Sequence, residues 1–236
     1  SLGIAVDVAR EALEQASIRV GEINTLIPFT FGDTFVKASE FDFLVNAADP
    51  PIYFDRWPLD DVWDEVARHV ASLIEDGSCL AFSIGPLYEA LARRLSGKRH
   101  LGIHSPIFTD PLMDLMITGA VTNRRKETYR GKALTSYAIG TKALMAWLNN
   151  NPLVEFQRIS RVFNPLNIGI NPRFVTVVAA RKVDLYGRIG LYIGKGHVAS
   201  GPAEVMDFLT GAELSPDGRS IFALTSRDRE DNPNIL

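Results

Sequence analysis

The sequence is short of cysteine and of long apolar runs. Cys79 is the only cysteine among the 236 residues, so no disulfide can form within the chain, and a reducing cytoplasm fits this usage. No apolar stretch approaches the roughly 20 residues that a membrane-spanning helix needs. Charge of one sign is not in excess either, because 25 lysines and arginines face 28 aspartates and glutamates, for a net charge of −3. This balance predicts no wholesale attraction to nucleic acid or to a membrane surface.

Residues that hold metals or dinucleotides are equally sparse. The lone cysteine has no CxxC partner and the histidines are scattered, so the sequence predicts no metal site. The glycines of IGKGHVASG (193–201) lack the full G-x-G-x-x-G spacing. We therefore reject a dinucleotide-binding loop and expect a flexible turn there. The four histidines are His69, His100, His104 and His197.

Apolar residues are plentiful, and they alternate between helical and strand patterns. They make up 46% of the chain, which is enough for a sizeable core. This alternation predicts a layered α/β fold with a mainly parallel sheet. A proline-rich stretch, 49–58, predicts a linker or domain boundary. Helices are predicted over 3–16, 60–76, 86–95, 110–118 and 141–149. Strands are predicted over 18–26, 41–47, 79–84, 99–104, 133–139, 174–180, 188–193 and 221–224, with 174–180 as a central strand.

A strand-to-helix turn at Gly85 and Pro86 is the first candidate binding element. The predicted strand 79–84 leads into it, and Pro86 suits the first turn of the helix that follows. Such turns direct backbone N–H groups towards anions and developing oxyanions. Most strand-to-helix turns contain glycine or proline and bind nothing, so a purely structural role stays open beside the functional one.

Two other polar groups leave the same choice open. His104 and Ser105 are neighbours on a predicted strand, and neighbouring strand residues point to opposite faces. We therefore expect a half-buried histidine that bonds to backbone, not a nucleophile and its base. A basic cluster in 124–132 would suit a phosphate-bearing ligand and would equally suit a solvated loop. Its members are Arg124, Arg125, Lys126, Arg130 and Lys132.

The segment LGIHSPIFTD (101–110) resembles the active-site segment of the acetyl-CoA hydrolase/CoA-transferase family, in particular its 4-hydroxybutyrate CoA-transferase-like members. Other stretches resemble family segments in the family's order. They are SLGIAVDVAREAL (1–13), GDTF (32–35), TNRRKETYRGK (122–132), NNPLVEF (150–156), VDLYG (183–187), MDFLTGAELS (206–215) and GRSIFAL (218–224). The resemblance implies the class I CoA-transferase fold, a layered α/β fold of two domains with the active site at their junction. It also implies a partial chain, with a remnant of the first domain at 1–50, a linker at 51–58 and most of the second domain at 59–236.

The resemblance further implies that the active site has diverged. The glutamate whose carboxylate attacks the thioester in this family corresponds to Pro106, which has no nucleophile. Of the family's Gln-x-Gly-Ile-Gly stretch only Ile84 and Gly85 persist, and the positions of Val178, Lys182 and 203–205 are altered as well. We therefore assign no catalytic residue from the sequence. The acids that could substitute for the missing glutamate are Glu89, Asp110 and Glu204.

The function implied by the resemblance is CoA transfer between an acyl-CoA and a small carboxylic acid, or hydrolysis of the thioester. Coenzyme A is then a substrate and no separate cofactor is expected. We expect a cytoplasmic protein that forms a homo-oligomer or is fused to further domains. Two alternatives stay open, a non-catalytic acyl-CoA-binding or regulatory module and a structural domain without ligand. The implied CoA contacts are Ile84, Gly85, His104, Ser105, Lys126 and Lys132.

Overall fold

A computed structural model of the chain describes residues 1–47, 49–191, 203–228 and 230–236, without the side chains of residues 203 and 204. The stretch 193–201, where we expect a turn, lies wholly outside these ranges. The helices are α1 (Ala9–Gln15), α2 (Asp61–Ser72), α3 (Pro86–Leu95), α4 (Asp110–Ile117), α5 (Lys142–Leu148), α6 (Ile159–Val162), α7 (Pro165–Gly169), α8 (Ala203–Leu214) and a 3-10 helix at Ala38–Glu40. The strands are β1 (Val20–Asn24), β2 (Phe31–Gly32), β3 (Phe43–Ala47), β4 (Cys79–Ala81), β5 (Gly102–Ile103), β6 (Ile107–Phe108), β7 (Ala133–Thr135), β8 (Tyr137–Ala138), β9 (Val154–Phe156), β10 (Phe174–Ala179), β11 (Lys182–Val183), β12 (Ile189–Gly190) and β13 (Arg219–Ala223).

The main sheet is parallel and has the strand order β13-β10-β4-β5. Helices cover both of its faces: Val175 and Val177 share a buried cluster with α2 and α3, whereas Phe174 shares one with α7 and α8. Burial on both faces explains why β10 is apolar apart from Thr176. The prediction of a layered α/β fold with a mainly parallel sheet, and of β10 as a central strand, is confirmed.

Shorter parallel strands extend this scaffold beyond β5. Strands β2, β9 and β7 form one sheet, and β6 pairs with β8. A bridge between His104 and Leu134 joins β5 to this second group. The segment that contains Pro106 therefore runs between two sheets, and it is buried along its whole length from 101 to 110.

The predicted helix at 3–16 is shorter than expected. It begins only at Ala9, because the Val6 N–H donates to the Ser136 carbonyl (3.1 Å) and Ala5 bridges Tyr137. A distant part of the chain holds these residues. Helical periodicity depends only on neighbouring residues, so it could not predict that contact. The next two predicted strands are confirmed as β1 and β3, which pair in parallel with apolar side chains exposed.

The segment 49–60 has no regular structure, as its prolines predict, yet it is tied to the rest of the molecule. The Phe54 N–H donates to the Gly140 carbonyl (2.9 Å), and Tyr53 packs against the main core. Asp60 then caps α2 by accepting from the N–H groups of Val62 (2.8 Å) and Trp63 (3.2 Å), a contribution of about 1 kcal/mol. We call residues 50–60 the strap, because they cross one end of α3 and α4.

Candidate functional site: the groove beside Gly85

The turn after β4 forms the floor of a groove. Strand β4 ends at Ala81, earlier than predicted, because the next residue bonds to a side chain and not to a neighbouring strand. The Ser105 hydroxyl donates to the Phe82 carbonyl (3.0 Å) and accepts from the Phe82 N–H (3.1 Å). Gly85 then has a φ of 130°, which an L side chain rarely adopts. Its carbonyl accepts from the Tyr88 N–H (3.1 Å) as α3 begins.

The second wall of the groove is the start of α4. Asp110 is only 4% exposed, and both of its carboxylate oxygens are used. Oδ2 accepts from the Thr141 N–H (3.0 Å) and Oδ1 from the Thr141 hydroxyl (2.5 Å), so Asp110 holds the start of α5 in place. The neighbouring Thr109 is 5% exposed, and its hydroxyl has no hydrogen-bond partner among the described residues. Both carboxylate oxygens of Asp110 are therefore bonded, whereas the Thr109 hydroxyl has no bond within the described residues.

The strap supplies the third wall through Arg56. Its guanidinium donates to Glu89 from Nε (3.0 Å) and Nη2 (2.6 Å), and Nη2 also meets Asp114 (2.7 Å). Burial lowers the pKa of Arg56, but the hydrogen bonds to the two carboxylates outweigh burial, so the pKa lies above its usual value. Arg56 thus stays charged and fixes the strap to α3 and α4.

Glu89 is the second buried acid of this groove. It is 6% exposed, and both hydrogen bonds from Arg56 end on the same oxygen, Oε2. No described residue donates to Oε1. The groove lies against residues 54–57, 83–85, 88–89, 109–111 and 139–140. We call this space the Gly85 groove.

A wider depression lies on the other side of Arg56. It has a volume of about 560 Å³ and is bounded by Arg56, Trp57, Glu89, Arg93 and Asp114, among others. Spaces of roughly 300–1,000 Å³ are typical of small-molecule sites. Because Arg56, Trp57 and Glu89 line both spaces, a ligand in the depression would reach the buried acid Glu89 of the groove.

Comparison with known proteins identifies the family. Residues 140–236 match the family model described as the acetyl-CoA hydrolase/transferase C-terminal domain. A curated relative, the 4-hydroxybutyrate coenzyme A transferase of Clostridium kluyveri, is 36% identical over 227 residues, which are 96% of this chain and 53% of that protein. The chain belongs to the acetyl-CoA hydrolase/CoA-transferase family.

Solved structures show the same fold as this CoA-transferase family chain. RipA from Yersinia pestis superposes with a TM-score of 0.91 at 27% identity and covers 100% of this chain and 53% of that one. The 4-hydroxybutyrate CoA-transferase from Porphyromonas gingivalis gives 0.89 at 30% identity, over 99% of this chain and 56% of that one. The chain spans about half the length of the relatives that it matches.

Two residues of the family's decapeptide, His104 and Ser105, lie behind the groove. Both are 0% exposed, so His104 is more deeply buried than the half-buried state we expected. Its Nε2 lies 2.8 Å from the Val162 carbonyl, whereas the Ser105 hydroxyl bonds to Phe82, so the two side chains do not form a pair. Burial and the nearby Lys126 ammonium lower the pKa of His104 to about 3. Through its bonds to Phe82, Ser105 fixes the turn that forms the floor of the Gly85 groove.

The two lysines that the resemblance implies as CoA contacts differ in exposure. Lys126 is 1% exposed, and its ammonium donates to the carbonyls of Ile103 (2.7 Å) and Lys132 (2.8 Å). Burial lowers its pKa to about 8. The Lys132 ammonium is partly exposed and pairs with Glu155 (2.7 Å). Neither lysine lines the Gly85 groove, and their part in CoA binding stays a prediction.

Pro106 stands at the position of the family glutamate in our reading of the sequence. Its carbonyl accepts from the N–H groups of Ser136 (3.1 Å) and Tyr137 (3.3 Å), and it does not line the Gly85 groove. Of the acids named as substitutes, Glu89 and Asp110 do line it, whereas the side chain of Glu204 lies outside the described residues. The replacement of the nucleophile stays a prediction.

Other classes of site find little support in the described part of the chain. Cys79 is buried, and burial raises its pKa to about 11, so it acts as a small apolar side chain. No group of three or more His, Cys, Asp or Glu in the described ranges is arranged to hold a metal ion. Among the helices described, none is long and apolar enough to cross a bilayer.

The sequence analysis missed Arg56 and Thr109. Arg56 lies in a proline-rich segment without periodicity, and its partners are 33 and 58 residues away. Thr109 precedes a helix and would ordinarily be read as its N-cap, but its side chain makes no capping bond. The unused N-cap hydroxyl is visible only in three dimensions.

Proposed function

We propose that this chain binds acyl-CoA at the Gly85 groove and the adjoining depression, and that it takes part in CoA transfer or thioester hydrolysis. Family membership supports the reaction class, since the relatives described above are named as CoA transferases. The observation that carries the location is the Gly85 turn. It opens α3 inside a groove that adjoins a depression of ligand size.

The turn suits the chemistry of a thioester. Negative charge develops on the carbonyl oxygen when the thioester carbon is attacked, and backbone N–H groups at a helix start stabilise such charge. The clamp between Ser105 and Phe82 fixes the turn in advance, so little reorganisation is needed. Half-exposed Ile84 beside Gly85 offers apolar contact to an acyl chain.

The proposal includes the participants. Coenzyme A acts as a substrate and not as a resident cofactor, and a small carboxylic acid or water is the second reactant. A cytoplasmic location fits a buried, unreactive cysteine. Because the relatives are about twice as long as this chain, we propose that it acts together with further copies or further domains.

A matched pair of glycine variants tests the site. Gly85→Ala and Gly187→Ala both place a side chain at positive φ, 130° and 79°, and in both cases the new methyl group meets no atom within 4 Å. Each should cost about 1–3 kcal/mol of stability, but Gly187 and its chain neighbours line neither space. We expect only Gly85→Ala to weaken the binding of CoA and acetyl-CoA in calorimetry, by tenfold or more.

Turnover is measured by exchange of labelled acetate into acetyl-CoA and by release of free CoA thiol. Binding followed by either reaction supports the proposal. Absence of binding to both CoA and acetyl-CoA, or equal loss of binding in the two glycine variants, contradicts it.

A further inference from the structure

Two polar atoms of the Gly85 groove have no hydrogen-bond partner among the described residues. One is the Thr109 hydroxyl, which is fully buried. The other is Glu89 Oε1, because both Arg56 bonds end on Oε2. A buried hydroxyl without a partner costs roughly 1–3 kcal/mol, and the carboxylate oxygen leaves a bonding position open beside it, so a molecule in the groove that bonds to both would satisfy them.

The groove has room for a water molecule between its walls. The space that a water centre can occupy is about 20 Å³, and roughly 10–15 Å³ is enough to hold one water with polar neighbours. A hydroxyl and a carboxylate oxygen provide complementary contacts, since the hydroxyl can donate or accept and the carboxylate only accepts.

We propose that Glu89 is a general base that activates a water held with Thr109 in the Gly85 groove, which makes this chain a thioester hydrolase. The inference rests on the proposed function, because it requires an acyl-CoA beside the groove. It goes beyond it by naming the reacting water and the residue that takes its proton. It also gives the chain a route that does not depend on a carboxylate at position 106, where Pro106 stands.

The reaction balances without a further reagent. The water oxygen forms a bond to the thioester carbonyl carbon while Glu89 Oε1 takes one proton from the water. The tetrahedral intermediate then collapses, the carbon–sulfur bond breaks, and the thiolate of coenzyme A leaves with the electron pair. The proton on Glu89 passes to that sulfur, so the products are a carboxylic acid and the free thiol, and Glu89 is again ionised.

Arg56 equips Glu89 for this role. Nε and Nη2 both donate to Oε2 from one side, which fixes the orientation of the carboxylate. The free Oε1 therefore belongs to a carboxylate whose orientation is fixed. Asp110 and Asp55 also line the groove. Asp110 uses both oxygens on Thr141 and is not available as a base, and Asp55 is exposed to solvent.

Glu89→Gln removes the base and keeps the size of the side chain. We expect the rate of CoA thiol release from acetyl-CoA to fall about 100-fold or more, as for other general bases, with binding of acetyl-CoA unchanged. Thr109→Val removes only the hydroxyl and should lower the rate about five- to tenfold. Asp64→Asn is the matched control, since Asp64 is also gripped by an arginine, Arg94, at the α2–α3 contact, and it lies outside the groove.

A single turnover in ¹⁸O-water tests for a carboxylate that attacks before water. Direct attack by water places ¹⁸O in the product acid and leaves the mass of the protein unchanged. Incorporation of ¹⁸O into the protein would mean that a carboxylate attacks first, and it would overturn the inference. So would Glu89→Gln with full hydrolytic rate, or wild-type chain that binds acetyl-CoA but only transfers CoA to acetate; both results leave the proposed function intact. Absence of acetyl-CoA binding overturns both.

Discussion

Replacing Arg56 with methionine removes the cation that holds Glu89 while keeping most of the apolar stem of the side chain. Leaving a fully buried charge without its partner costs about 3–5 kcal/mol, whereas an exposed pair contributes about 0–1 kcal/mol. Here Glu89 is 6% exposed but the Arg56 side chain is 41% exposed, so the cost lies between these limits. We expect the free energy of unfolding to fall by about 2–3 kcal/mol at pH 7.

Urea unfolding followed by circular dichroism at pH 7 measures the effect. The control is Arg94→Met, because Arg94 and Asp64 form a comparable pair with both side chains partly exposed, and its loss should stay below about 1 kcal/mol. The double variant with Glu89→Gln should lose less than the sum of the single variants, since the two residues are in contact. A loss at Arg56 no larger than at Arg94 would refute the reasoning.

Two further predictions concern groups in the core. The unfolded chain binds a proton on His104 near pH 6.5, whereas burial lowers the pKa of the folded group to about 3; the free energy of unfolding should therefore fall as pH is lowered from about 6.5 to 3, and His104→Gln should flatten this slope in urea titrations. The buried Cys79 thiol, whose pKa burial raises to about 11, should not react with an aromatic disulfide reagent at pH 8 in the native protein and should react fully in urea. Rapid reaction in the native protein would contradict its burial.

Elements that are defined by their own residues could be predicted from the sequence. Strand β10 is apolar apart from Thr176 because both of its faces are covered, and Asp60 caps α2 with its own side chain. The start of α1 could not be predicted in the same way. Val6 bonds to Ser136, 130 positions away, and a window of neighbouring residues contains no trace of that contact.

The same distinction between local signals and distant contacts applies to the residues of the candidate site. Gly85 could be picked out because glycine before proline, between a strand and a helix, is a local signal. Ser105 was named for its place in a family segment. In the structure it has a different role, because its hydroxyl bonds to the Phe82 backbone. Arg56 could not be found at all, since the strap has no periodicity and the partners of its side chain come from α3 and α4.

Glu89 and Asp110 show why the contacts of a buried acid say more than its presence. Each is nearly excluded from water, and burying a carboxylate costs free energy unless its oxygens are bonded. Both oxygens of Asp110 are bonded to Thr141, which offsets this cost. Its role in joining α4 to α5 therefore explains its burial. Glu89 is bonded at one oxygen only, and a buried ion pair can often be replaced by apolar residues without loss of stability. The described contacts of Glu89 therefore leave its second oxygen free, as a water-activating role beside an acyl-CoA requires.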